Sequence, residues 1–409
     1  MPVGVHSEVG PLEEVIVYRP GREMDRLTPS NKDDLLFDDV LWLSQARRDH
    51  DVFTKTLSDQ GVKVLCLNDL LKEALQDEQA RSYVVEVSFA DEYYGVTAAA
   101  ALQEYAKSLT GSALGDFLID GMTKRELDEF VGHVPSTYFH RFQGDDLVTP
   151  CLPNLYFTRD PSAWIYGGVS VNAMQMRARR REAFVYNTVY RWHPRFKGED
   201  FDFWSRGANA GYSTVEGGDI LVPGNGVVLV GLSQRTTPAG VERLAQSLFR
   251  DPHVRTVVGI MMGQERAQMH LDTVMTMVDE RTFMKYQHLG MLETVVIERG
   301  PSGGLSVRVK DREDMHRVIA NAMGVGDLRF LTTPESGPNA ERGQWNDSCN
   351  LLALRPGVVV AYDRNERANE YLMSEGVQVL TVPGGELGRG RGGPRCMSCP
   401  VVRGSVVVD

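Results

Sequence analysis

One pattern recurs along this chain and restricts its fold more than any other feature. It consists of a strand rich in β-branched residues, a tight turn, a second strand, a helix and a closing strand. The clearest copy runs from Asn350 to Pro383. Asn350 to Leu354 reads as a strand, Arg355-Pro356-Gly357 as a turn, and Val358 to Tyr362 as the second strand. Arg364 to Ser374 carries Ala368, Tyr371 and Leu372 on one helical face. Gly376 stops that helix, and Val377 to Val382 closes the unit.

Similar units begin at Gly218 and at Leu271. In the first, Asp219 to Val222 and Val227 to Gly231 flank the turn Pro223-Gly224-Asn225-Gly226. A helix over Pro238 to Phe249 and a strand over Val254 to Ile260 follow. In the second, Leu271 to Met277 turns at Asp279-Glu280-Arg281 and continues through Met284. Its helix is expected over Asp311 to Met323 and its last strand over Leu328 to Leu331. Weaker copies start at Asn154 and Pro11, with helices over Arg179 to Tyr190 and Leu43 to Gln60. None of these roughly five units can bury a core alone, so they must pack around a common axis. Hairpins interrupt the β-α-β alternation, which favours a closed ring of α/β units over a doubly wound sheet.

Residues 75–150 break the rhythm. Ala98 to Leu102, Tyr105, Leu109, Leu114 and Phe117 to Ile119 follow helical spacing, and Thr123-Lys124-Arg125-Glu126 has the form of a capping box. We expect an inserted helical domain over 75–150, within a catalytic unit made of 1–74 and 151–409.

Composition excludes several classes of partner. The net charge is -11 with no long basic run, which argues against nucleic acid and anionic membrane. Nothing approaches the ~20 consecutive apolar residues of a membrane span. Met1 to Gly10 lacks the basic and apolar segments of a secretion signal, so cytoplasmic residence is expected. Hydrophobic residues at 42% and charged residues at 24% fit an ordinary soluble globular protein. Five scattered cysteines do not form a disulfide framework.

Chemistry concentrates at the edges of the repeated units. Cys396 lies in a glycine-rich, cationic run, Gly388-Arg389-Gly390-Arg391-Gly392-Gly393-Pro394-Arg395-Cys396. Nearby positive charge lowers a thiol pKa from ~8.5 and favours the nucleophilic thiolate. Cys396-Met397-Ser398-Cys399 is also a C-x-x-C. No second pair completes a zinc site, and Pro400-Val401-Val402 leads into a strand where a thioredoxin-type motif would open a helix. Cys399 stands close enough in sequence to pair with Cys396 on oxidation. His270-Leu271-Asp272 begins an apolar stretch read as a strand, which puts imidazole and carboxylate on one face. Glu216-Gly217-Gly218-Asp219 sets two carboxylates before another strand, and Asn154 to Asp160 ends on a third acid. A ring would bring these edges together. Carboxylates around a thiol suit a guanidinium, which is planar, permanently charged and rich in donors.

These motifs, in order, resemble those of bacterial arginine deiminases: Phe157-Thr158-Arg159-Asp160, Ala178-Arg179-Arg180, Glu216-Gly217-Gly218-Asp219, His270-Leu271-Asp272, Asn346-Asp347-Ser348-Cys349-Asn350, and Gly390 to Ser398. The resemblance covers essentially the whole chain, insertion included. It implies a five-bladed α/β propeller that hydrolyses L-arginine to citrulline and ammonia through a covalent amidino intermediate on Cys396. His270 would be the general acid and base, assisted by Glu216. Asp160 and Asp272 would grip the guanidinium, with Asp219 as a supporting carboxylate and Phe157 beside the substrate. Arg179, Arg235 and Asn154 would take the α-carboxylate, Arg391 would sit by Cys396, and Ser30 to Trp42 would form a lid. The resemblance implies no metal, no organic cofactor and a homo-oligomer. A relative acting on agmatine or methylated arginine, an amidinotransferase, a binding protein of the same fold, and a redox or zinc protein are the competing readings.

Overall fold

The computed structural model describes residues 2–207 and 211–406. Five of its sheets have three or more strands, and the hairpin-helix-strand unit underlies each of the last four along the chain. Ser162–Ile165 and Gly168–Val171 form a hairpin, the helix Glu182–Trp192 follows, and Asp202–Arg206 returns parallel to the second strand. Ile220–Gly224, Val227–Leu232, the helix Pro238–Leu248 and Thr256–Met261 repeat this order. So do Met275–Asp279, Thr282–Lys285, Met315–Met323 and Arg329–Thr332. The fourth copy comprises Leu352–Arg355, Val358–Tyr362, Glu366–Ser374 and Gln378–Val382.

Local chemistry explains these elements. Asn225 and Gly226 both adopt positive φ, as a two-residue hairpin turn requires. Thr237 caps the following helix by accepting from the Gly240 amide, and Pro238 occupies its first turn. Val241, Leu244, Ala245 and Leu248 then fall on one buried stripe. Each large apolar side chain of that stripe contributes roughly 1.5–3 kcal/mol by leaving water. Gly324, left-handed, ends the helix Met315–Met323.

The remaining large sheet joins the two ends of the chain. Its order is Gly4–Val5, Cys399–Arg403, Leu12–Val17, Lys63–Cys66, with the C-terminal strand antiparallel to Leu12–Val17. The helix Leu43–Asp59 makes the parallel crossover within it. One hairpin was not anticipated: Thr294–Arg299 and Leu305–Lys310 extend the sheet of Thr256–Met261 outward.

Six helices occupy 67–130, from Leu67–Ala74 to Lys124–Phe130. The Thr123–Glu126 capping box is formed, and Arg26 of the chain's first part pairs with Glu126. Buried side chains such as Leu71, Leu75, Val84 and Leu114 run without a break into Val15, Ile16 and Met397. No helix among the described residues is long and apolar enough to cross a membrane.

Candidate active site

Short turns deliver the candidate residues at the starts of the repeated units. Pro153–Tyr156, Gly217–Asp219 and Leu271–Thr273 are single 3-10 turns that precede a hairpin. The His270 to Asp272 segment is thus a turn, and the strand starts only at Met275. Imidazole and carboxylate therefore serve different neighbours. Gly218 is required by close approach: a Cβ there would lie 2.8 Å from the His270 ring and 2.9 Å from Asp160 Oδ1.

His270 occupies a corner walled by carboxylates. Its Nε2 lies 2.8 Å from Glu216 Oε2, and its Nδ1 is 3.7 Å from Asp160 Oδ1. Asp219 does not line the cavity in the way a substrate ligand would. Its oxygens accept from the Leu271 amide (2.8 Å), Ser233 (2.7 Å) and Thr236 (2.6 Å), so it fixes the turn that carries His270. Burial opposes charge on His270, but Asp160, Glu216 and Asp219 outweigh it and raise the imidazole to about 9. Burial likewise opposes charge on Glu216, yet Arg235, His270 and Arg179 hold it down at about 2. Burial pushes Asp219 up to about 7.

Cys396 occupies the other corner. Its Sγ contacts Asp272 Oδ2 at 3.6 Å and accepts from Asn350 Nδ2 at 3.1 Å. Arg395 donates to the same Asp272 Oδ2 (2.8 Å), to Glu8 (2.8 Å) and to the Ile220 carbonyl (2.6 Å). The cationic loop does not hold the thiol down at rest. Burial raises the Cys396 thiol well above its ordinary value, and the charges of Asp272, Asp160 and Asp347 push it further, against Arg395. Two of the loop's cations have carboxylate partners, while Arg391 lines the cavity with Nε and Nη1 unpartnered. Arg389 pairs with Asp39 and Glu386, and Arg391 lies over the Trp345 ring at 3.5 Å.

Between the corners is a closed cavity with room for about one water, lined by Asp160, Arg235, His270, Arg391 and Cys396. Phe157 and Asn154 also line it, and Leu36 covers it. Arg179 reaches the wall but is committed. It pairs with Asp160 and Glu182 and donates to the carbonyls of Asn154 and Phe157. Arg235 is held loosely, at 3.5 Å from Glu216 and 3.7 Å from Met269 Sδ. Asp160 Oδ1 and Asp272 Oδ1 are buried with no hydrogen-bond partner, as are both oxygens of Asp347.

The segment Ser30 to Trp42, expected as a lid, is tied to the rest of the molecule. Asn154 Nδ2 donates to the Leu35 carbonyl, Arg266 pairs with Asp38, and the Trp42 amide donates to Glu386. Cys399 does not share a partner with Cys396; it faces Ser162 and Tyr190. Among the described residues, only Asp160, Glu216 and His270 bring three ligand-type atoms close enough for a metal ion. Those carboxylates are already engaged by Arg179 and Arg235. Asn350, Arg395 and Glu8 escaped notice as site residues, since nothing in sequence tells an asparagine before a strand from any other.

The fold and this thiol-imidazole-carboxylate cavity define the class. The chain shares its α/β fold with a Pseudomonas aeruginosa dimethylarginine dimethylaminohydrolase solved with citrulline (14% identity, TM-score 0.52, 95% of this chain and 99% of that one). An amidinotransferase from Microseira wollei, of the saxitoxin biosynthetic pathway, has it too (14% identity, TM-score 0.55, covering 100% and 99%). The arginine deiminase family profile matches residues 33–403. Arginine deiminases of Mycobacterium bovis and Mycobacterium tuberculosis are 45% identical over 403 residues, 98% of each chain. This chain belongs to the arginine deiminase family.

Proposed function

We propose that the protein hydrolyses L-arginine to L-citrulline and ammonia. The observation that carries this reading is the pair of orphaned carboxylate oxygens, Asp160 Oδ1 and Asp272 Oδ1, buried about Cys396 and His270. A buried acceptor without a donor costs free energy until a ligand supplies one. A guanidinium supplies several, together with a positive charge beside the two carboxylates. The same charge lowers the Cys396 thiol, so its proton is lost to solvent as substrate enters and the nucleophile forms.

The thiolate attacks the guanidinium carbon, forming a C–S bond. His270, protonated at neutral pH, gives its proton to the departing nitrogen, and ammonia leaves. The cationic amidino thioether remains. Neutral His270, hydrogen-bonded to Glu216, then takes a proton from water as the water attacks. The C–S bond breaks, the sulfur leaves as thiolate, and the hydroxyl proton of the adduct passes to solvent as neutral citrulline forms. Once citrulline has left, the sulfur takes a proton from solvent and the resting thiol is restored.

Arg235, with loosely held donors at the cavity edge, takes the α-carboxylate and selects arginine over agmatine. Arg179 supports from behind by fixing Asp160, the Asn154 and Phe157 carbonyls, and Glu182. The five large sheets are read as blades of a five-bladed propeller, with 75–150 inserted between 1–74 and 151–409. Oligomeric assembly and cytoplasmic residence complete the proposal.

The test is citrulline and ammonia release from L-arginine, with agmatine and dimethylarginine in parallel. Turnover of arginine alone, lost in Cys396→Ala, is the expected result. A folded protein that turns over none of the three would overturn the reading.

A further inference from the structure

Cys396 is held from one side by a single side chain with two opposite functions. Asn350 is completely buried at the start of the strand Leu352–Arg355. Its Oδ1 accepts the Cys396 amide at 3.1 Å, and its Nδ2 donates to Cys396 Sγ at 3.1 Å. The same nitrogen reaches the Asp272 carbonyl at 3.2 Å. The approach is built into the loop, since a Cβ on Gly393 would lie 2.8 Å from three atoms of Asn350. Glycine is the residue that lets the loop close on the carboxamide.

The two contacts of the sulfur behave differently when the proton leaves. In the thiol, S–H points at Asp272 Oδ2 and Asn350 donates to a weak acceptor. In the thiolate, the Asp272 contact becomes a meeting of two anions, while the Asn350 contact becomes a charge-assisted hydrogen bond. A carboxamide N–H can only donate, so it favours the anion over the thiol. The other groups whose charges bear on the sulfur are the carboxylates of Asp160 and Asp347 and the guanidinium of Arg395. Arg391 and the phenols of Tyr156 and Tyr362 also act on it, and His270 shares its cavity. Arg395 is bonded to Asp272 and Glu8, Arg391 stacks on Trp345 and donates to the Ala267 carbonyl, and both phenols donate to backbone carbonyls. Asn350 is the neutral donor placed on the sulfur itself.

We propose that Asn350 is a further catalytic residue, which stabilises the sulfur of Cys396 as an anion when it attacks and again when it leaves. This rests on Cys396 being the nucleophile. Asn350 does not line the substrate cavity, so its loss acts on kcat and leaves KM near the wild-type value. A hydrogen bond to a charged group corresponds to about 10- to 100-fold in kcat.

The experiment separates the sulfur contact from the backbone clamp. Asn350→Ala removes both, whereas Asn350→Asp keeps an oxygen for the Cys396 amide and puts a like charge beside the sulfur. Iodoacetamide labelling of the Cys396 peptide is followed by mass spectrometry across pH. Guanidinium ion is present at a non-denaturing concentration to supply the missing cation. The expected result is a labelling profile displaced upward by about one pH unit or more in Asn350→Ala. In Asn350→Asp the displacement is at least as large. Profiles superimposable on wild type, or an aspartate variant that restores the wild-type profile, would reduce Asn350 to a structural clamp and overturn the proposal. Labelling does not depend on arginine turnover. If Cys396→Ala still turned over arginine, the nucleophile reading would fall, while the labelling shift would still report on Asn350.

Discussion

The two corners of the cavity answer the same negative field in opposite chemical senses. Around His270, Asp160, Glu216 and Asp219 raise the imidazole and make it a cation. Around Cys396, burial together with Asp272, Asp160 and Asp347 raises the thiol and keeps it neutral. The bonding differs as well. Glu216 and Asp219 beside His270 are engaged by Arg235, Ser233 and Thr236, whereas Asp160 Oδ1 and Asp272 Oδ1 have no partner. The imidazole is charged before substrate arrives, and the two orphaned oxygens are satisfied by it. The acid is therefore ready at rest, and the nucleophile is withheld until a cation is present, which protects a buried thiol from adventitious electrophiles.

The largest test of that contrast is removal of each working atom. Cys396→Ala is expected to lose at least about 10⁴-fold in kcat, because no other group can carry the intermediate. Retention of even a hundredth of wild-type turnover, measured as citrulline release, would mean that the sulfur is not the nucleophile. His270→Ala falls less far, about 10²–10⁴-fold, the range for loss of a general acid and base.

A sharper test sets activity against reactivity. Asp272→Asn removes a guanidinium ligand and is expected to cost about 10²–10³-fold in kcat/KM. It also removes the anion nearest the sulfur, so Cys396 should be alkylated faster than in wild type at neutral pH without substrate. Slower turnover with faster labelling is the signature of a carboxylate that suppresses the resting thiolate. Slower labelling would contradict the opposed-corner account. Because Asp272 pairs with buried Arg395, the variant should also lose about 3 kcal/mol of stability in denaturant, the lower end for a broken buried pair, since Glu8 still holds the guanidinium.

The His270 corner makes a prediction about pH. His270 stands at about 9 against its ordinary 6.5, so its stabilisation is fully present below 6.5 and disappears as pH rises through 9. Glu216 stands at about 2 against 4.5, so its contribution is present above 4.5 and disappears as pH falls through 2. The pair, counted once because it shares a hydrogen bond, contributes ~3 kcal/mol. Stability from this pair should therefore be greatest between pH 4.5 and 6.5. In His270→Ala the decline of Tm between pH 7 and 9 should shrink. An unchanged decline would place its origin elsewhere.

The same difference between corners explains what could be read in the sequence. The repeat was legible because each unit satisfies its backbone and its apolar stripe locally, as Pro238–Leu248 and Val358–Tyr362 do. His270, Glu216, Asp160, Asp272 and Cys396 were legible because charged groups at unit edges have few structural uses. The hairpin Thr294–Arg299 and Leu305–Lys310 was missed, since it sits on another unit's sheet. The state of Cys396 at rest was not legible for the same kind of reason. Arg389 and Arg395 are its neighbours in sequence, but their charges are paired with Asp39, Asp272 and Glu8, which are distant in the chain. Asn350 and Asp219 act only through partners that folding brings to them.

The smallest expected effect concerns how the empty corner is reached. A cavity with room for one water cannot admit arginine, so Leu36 and its loop must move. Arg266 holds that loop through Asp38 and the Leu36 carbonyl, and the pair is about one third exposed. Solvent screens such a pair, so Arg266→Ala should cost no more than about 1 kcal/mol in stability. Its consequence is kinetic. With Asp38 released, the loop opens more readily and closes less firmly. KM should rise a few-fold, kcat should change little, and Cys396 should be labelled faster in the absence of arginine. Saturating arginine should protect the thiol as completely as in wild type, because the guanidinium ligands are intact. A rise in KM without faster labelling would show that Arg266 binds substrate and does not latch the loop. Lower kcat at unchanged KM would show that the closed loop shapes the chemistry at Cys396.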